Sequence, residues 1–206
     1  MKVAAAPPQS ILEWGWAGRA LEGDVSGDLH VVAPFPGGAL VALIDGLGHG
    51  PEAADAARAA ASVLQNFASD LLPVLIQRCH EELHRTRGVV MTLASVRADA
   101  SSLDWIGIGN VEGVLLRRRG ARRRDDAIVL RGGVVGYQLP PLRARAVPVS
   151  RGDTLILTTD GVRSGFATSL AIDDAPQEIA ESILARHAKG SDDAHVVVAR
   201  YIGAVP

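Results

Sequence analysis

Four aspartates stand at the ends of strand-like segments, each beside a glycine or a second acid. They are Asp28 in Ser26-Gly27-Asp28, Asp45 in Ile44-Asp45-Gly46, Asp160 in Thr159-Asp160-Gly161, and Asp192 in Ser191-Asp192-Asp193. A rigid sheet presents side chains from its strand ends to a shared cleft. Carboxylates that converge there repel one another unless a cation lies between them. Oxygen ligands completed by water suit Mg²⁺ or Mn²⁺. Taken singly, each acid has a plainer reading. Asp-Gly after a strand is a common turn, Asp28 can solvate or cap a strand end, and Asp192-Asp193 can be a surface pair. The set carries the chemistry rather than any one member. The stretch Asp45-Gly46-Leu47-Gly48-His49-Gly50 is the hardest to read as a plain turn. It puts three glycines in five residues between a strand and a helix, which fits close approach of backbone to a ligand.

Other chemistries are poorly supplied. Cys79 is the one cysteine and the six histidines are scattered, so neither a disulfide framework nor a cysteine-rich zinc site is available. Cys79 falls inside an amphipathic stretch with no phosphate-cradling glycine loop, which predicts a core or interface residue rather than a nucleophile. Gly46 to Gly50 lacks the Lys-Ser/Thr of a nucleotide-binding loop. The net charge of −2 gives no field to bind nucleic acid or an anionic membrane. No run approaches the roughly 20 apolar residues of a membrane span, and Met1 to Ser10 does not read as a signal peptide. A single soluble, cytoplasmic domain over residues 1–206 is the expectation. With 48% apolar and 21% charged residues, the chain is ordinary for a folded protein.

The elements that must position the acids are legible. Ala39 to Ile44 is a continuous apolar run, as in a strand buried on both faces. Strands are also predicted over 29–32, 88–96, 103–108, 111–116, 127–130, 154–159 and 195–202. Helices are predicted over 51–67, 73–85 and 176–188, each opening on a proline. Strands and helices do not alternate one for one. That pattern argues for an α+β layered fold of antiparallel sheets with helices on the outer faces.

In order along nearly the whole chain, Ser26-Gly27-Asp28, Ile44-Asp45-Gly46-Leu47-Gly48-His49-Gly50, Ile108-Gly109-Asn110-Val111, Thr159-Asp160-Gly161 and Asp192-Asp193 resemble the PPM family of metal-dependent serine/threonine protein phosphatases, in its SpoIIE-like branch. The short length, Thr86-Arg87-Gly88 leading into a strand, Gly109-Asn110-Val111-Glu112 and Gly136-Tyr137 are most similar to the RsbX subgroup of stressosome phosphatases. The resemblance implies an α-β-β-α sandwich with a two-metal cleft at one edge, holding Mn²⁺ or Mg²⁺. By that resemblance Asp45 bridges both metals, the Gly46 carbonyl ligates the second, and Asp160 and Asp192 hold the first. Asp28 acts at the second through water, and Asp193 is a neighbour able to exchange roles with Asp192. The implied reaction is attack of metal-activated water on phosphoserine or phosphothreonine. The implied substrates are phosphorylated STAS-domain proteins of a stressosome-like complex. A phosphatase fold that binds such a partner without turning it over is the alternative.

Several residues carry open readings. Family members with histidine directly after Asp-Gly contrast with Leu47 here; His49 either donates a proton to the leaving oxygen or bonds the loop. Arg19 is a candidate phosphate-binding arginine by position alone. Arg117 to Arg124 holds six arginines in eight residues and reads as a solvated hairpin tip, or as a dock for an acidic partner. Trp14 and Trp16 share one face of an early strand and are expected in the core. Asn110 is expected to close a turn, and His195 to face a neighbouring strand.

Overall fold

The computed structural model describes residues 10–21, 25–118 and 125–203. Among these residues, eleven strands form two sheets. The first sheet runs in the order β1 (Leu12–Arg19), β11 (Ala194–Tyr201), β10 (Thr154–Thr158), β6 (Glu112–Leu116), β7 (Asp126–Ala127). The second runs β2 (Asp28–Phe35), β3 (Gly38–Gly46), β4 (Val89–Arg97), β5 (Ser102–Ile108), β8 (Leu130–Arg131), with β9 (Arg145–Pro148) also pairing β5. All pairings are antiparallel except the short β5–β8 contact. Sequence patterning misses β9, and the segment expected at 127–130 divides between β7 and β8, which belong to different sheets.

The apolar residues sort into three layers. Leu43, Val41, Trp105, Leu157 and Val197 fill the space between the sheets. Leu40, Ile44, Met91 and Leu93 face outward from the second sheet and meet α1 (Pro51–Asn66) and α2 (Leu72–Glu82). Ile156, Val196 and Val198 meet α3 (Pro176–His187) on the far side of the first sheet. The result is the α-β-β-α sandwich. β3 lies inside its sheet and is covered on both faces, which explains its unbroken apolar run. α1 presents small side chains, Ala53, Ala56, Ala57 and Ala60, to the core, so its backbone lies close to the sheet. Cys79 is buried in that layer, and burial, then Glu82, pushes its thiol up to about 12. It is a packing residue.

Two expectations are corrected. Trp14 and Trp16 do share a face, but they are 42% and 44% exposed. β1 is an edge strand, as is β2 in the other sheet, and the two indoles lie over the polar seam between these edges. Trp16 stacks on His195 with ring centroids 5.2 Å apart and an interplanar angle of 3°. His30 Nδ1 and His195 Nε2 are 2.9 Å apart. Burial lowers the His30 pKa, and burial followed by His30 lowers His195 to about 3, so one neutral ring donates to the other.

The second correction concerns the basic tract. Arg119 to Arg124 lie outside the described residues. Arg117, however, is no solvated tip residue. Its Nε donates to Asp126 at 3.0 Å and its Nη1 to Asp153 at 2.9 Å, bracing the β6–β7 hairpin against the start of β10.

Candidate metal-binding active site

The site is built where several strands end together. Asp45, near the end of β3, stands directly across from Asp28 at the start of β2 in the antiparallel register. Gly46 donates its N–H to the Gly27 carbonyl at 3.1 Å. A side chain at Gly46 would overlap the Ala53 backbone of α1, so glycine lets the helix seat against the strand end. Asp160 follows β10. A side chain at Gly161 would strike the Asp193 carbonyl; the glycine admits the loop that carries Asp192. The Asp-Gly pairs are therefore turns and close approaches at once.

Asp45, Asp160 and Asp192 line one open pocket of about 620 Å³, together with Leu47, Gly48, His49, Asn110 and Ser191. Asn110, in the turn between β5 and β6 as expected, also donates from Nδ2 to Asp160 Oδ2 at 2.8 Å. Asp28 is buried behind Asp45. Thr159 Oγ1 donates to Asp28 Oδ2 at 2.8 Å and accepts the His195 N–H at 2.9 Å. Sequence reading misses Thr159 and Asn110 as supporting groups because their partners are remote along the chain.

The adjacent acids Asp192 and Asp193 separate. Asp192 lines the pocket. Asp193 is buried and accepts the Leu21 N–H on Oδ1 and the Gly27 N–H on Oδ2, both at 2.7 Å. It holds the β1–β2 connection and borders a smaller hollow with Leu21, Val25, His49 and Gly50. Arg19 reaches toward Gly190, beside the Asp192 loop.

Negative charge is concentrated here. Burial, then the charge of Asp45, drives Asp28 up to about 8, against the lowering effect of the Thr159 hydrogen bond. Burial, then Asp160, Asp192 and Asp193, drives Asp45 up to about 7. Burial and Asp192 raise Asp160, while Lys189 opposes them. Among the described residues no ion pair joins Asp28, Asp45, Asp160 or Asp192 to Arg or Lys. Nor are three or more His, Cys, Asp or Glu side chains among them grouped so as to hold a metal ion as they stand. The donor set nevertheless fits a hard divalent cation. It is all oxygen, it is anionic, and it faces a pocket roomy enough for water.

The family model for Stage II sporulation protein E (SpoIIE) matches residues 36–202. The phosphoserine phosphatase RsbX of Bacillus subtilis (strain 168) is 22% identical over 155 residues, 75% of this chain and 76% of RsbX. A chain solved in work on the bacterial stressosome, described as a modular system adapted to control secondary messenger signaling, superposes with a TM-score of 0.84 at 31% identity. That match covers 92% of this chain and 99% of the other. A crystal structure of RsbX in complex with magnesium superposes with a TM-score of 0.78 at 18% identity, over 92% of this chain and 94% of RsbX.

The chain belongs to the SpoIIE family. Its sandwich is the PPM phosphatase fold, and by class it is a protein serine/threonine phosphatase.

Proposed function

We propose that the chain hydrolyses phosphoserine or phosphothreonine on STAS-domain proteins of a stressosome-like complex in the cytoplasm, using a two-metal site of Mg²⁺ or Mn²⁺. The observation that carries this reading is the convergence of Asp45, Asp160 and Asp192 on one pocket, from separate strand ends of a phosphatase fold. The magnesium in the RsbX structure supports the choice of metal. The likeness to RsbX and to the stressosome chain supports the substrate class.

In this reading Asp45, Asp160, Asp192 and the Gly46 carbonyl would hold the metals. Asp28 acts through water, and Asp193 keeps the surrounding backbone in place. Bound divalent ions supply a water of lowered pKa and offset phosphoryl charge. The chain's own residues do the remaining work. Asn110 fixes the Asp160 carboxylate by its 2.8 Å hydrogen bond. Thr159 fixes Asp28 in the same way. His49 lines the pocket, and in this reading it protonates the leaving serine or threonine oxygen. Leu47 and Val90 give the pocket an apolar wall.

The test is hydrolysis of a phosphoserine peptide with Mg²⁺ or Mn²⁺ by wild type and Asp45→Asn. Loss of turnover in a folded Asp45→Asn protein is expected, and full retained activity refutes the site. A calorimetric titration of wild type without any divalent-ion binding would replace the enzyme reading by that of a partner-binding module.

A further inference from the structure

A phosphorylated side chain brings about two negative charges to a pocket walled by aspartates. None of the described residues lining that pocket is Arg or Lys. A guanidinium nevertheless stands against its wall. Gly48 lines the pocket with a left-handed φ of 90°, and a methyl group placed there would come within 2.7 Å of Arg87 Nη1. Glycine at this position thus leaves the space over the loop to Arg87.

Arg87 is well supported from behind. The Leu47 N–H donates to the Gly88 carbonyl at 3.1 Å, tying the Arg87 turn to the pocket loop. Thr86 Oγ1 donates to the Leu83 carbonyl at 2.9 Å and accepts the Gly88 N–H at 3.0 Å. Val89 exchanges both backbone hydrogen bonds with Val135. Among the described residues the guanidinium itself is paired only with Glu52, in the first turn of α1, with the two side chains 49% and 69% exposed. An exposed pair of this kind is weak, and a better-matched oxyanion displaces it at small cost. Beyond Glu52, Asp55, Arg85 and Thr86 line a second open hollow, so the head of Arg87 has room to turn.

Resting on the phosphatase reading, the geometry points to Arg87 as a substrate-positioning residue. Its guanidinium leaves Glu52 to bind an oxyanion of the phosphoprotein at the pocket rim, either the phosphoryl group or a carboxylate flanking it. A planar fork of donors suits both. Glu52 competes with substrate for the same group and sets how readily it is released.

The experiment compares Arg87→Ala, Arg87→Lys and Glu52→Gln on three substrates. These are a small aryl phosphate, a phosphoserine peptide with neutral flanks, and the same peptide flanked by glutamates. Arg87→Ala is expected to raise KM roughly tenfold with kcat within about twofold. Arg87→Lys should recover part of the loss, and Glu52→Gln should lower KM. A KM rise on the aryl phosphate assigns the phosphoryl oxygens as the group bound; a rise confined to the glutamate-flanked peptide assigns the carboxylate. Unchanged KM on all three overturns the proposal. So does a fall in kcat or thermal stability without a KM effect, which would make Arg87 a loop brace. Calorimetric binding of the phosphopeptide in an Asp160→Asn background reads Arg87 even if wild type turns nothing over. A roughly tenfold weaker affinity on adding Arg87→Ala is expected, and equal affinity refutes the role.

Discussion

The two ends of β10 treat an acid in opposite ways. At its start, Asp153 is 3% exposed and fully matched. Arg117 donates to it at 2.9 Å, and the amides of Ser150 and Arg118 each donate at 3.0 Å. At its far end, Asp160 shares a pocket with Asp45 and Asp192 and takes one neutral amide from Asn110. The first cluster balances its charge internally. The second accumulates charge of one sign and holds it in place with hydroxyl and amide donors. A protein folds readily around the first arrangement. It maintains the second only because the surrounding turns and glycines over-determine where the carboxylates stand.

The contrast can be broken from either end. The largest expected effect is on turnover: Asp45→Asn should lower kcat on a phosphopeptide by a factor on the order of 10³ or more, with circular dichroism and melting temperature close to wild type. Asp153→Ala should do the reverse. It leaves Arg117 half-buried without one of its partners, at a cost of about 3 kcal/mol, read as a lower denaturant midpoint with kcat per folded molecule retained. Smaller again is Asn110→Ala, which frees the Asp160 carboxylate. Loss of such an outer support costs roughly 10- to 100-fold in metal affinity or turnover, visible in metal titrations, with little change in stability.

The subtlest test is pH. Asp28 and Asp45 bind a proton more tightly in the folded protein, near 8 and 7, than at the ordinary value of 3.8. Folding therefore takes up protons, and the stability linked to these two acids is complete below about pH 4 and is lost as pH rises through 7 to 8. In chelator-treated protein the melting temperature should fall between pH 5 and 8. Added Mg²⁺ should restore it at pH 8 and change it little at pH 5. A melting temperature that rises over that interval without metal would contradict the crowded-acid picture.

How much of this was readable from the chain follows from the range of the interactions. The strand-end aspartates carry their own local signature, since Asp-Gly after an apolar run marks a strand terminus. Helix starts carry theirs in Pro51, Pro73 and Pro176, and all three helices stand where the prolines put them. What the chain conceals is depth and pairing. Trp14 and Trp16 look like core residues until β1 proves to be an edge strand. Arg117 opens a basic run, and nothing local distinguishes it from its neighbours; its partner Asp153 is 36 residues away. Asp192 and Asp193 are chemically identical and adjacent. Only the amides of Leu21 and Gly27, more than 160 residues distant, separate the one that faces the pocket from the one that does not.

Those two amide contacts also set a schedule. Asp193 joins the segment between β1 and β2 to the residue just before β11, so the walls of the pocket come from both early and late parts of the chain. On a ribosome, the early acids Asp28 and Asp45 emerge long before the carboxylate that clamps their surroundings. A nascent chain stalled before β11 would hold the front half of the pocket without the contacts that Asp193 supplies. The pocket therefore stays incomplete until synthesis has passed residue 193, a consequence of topology alone.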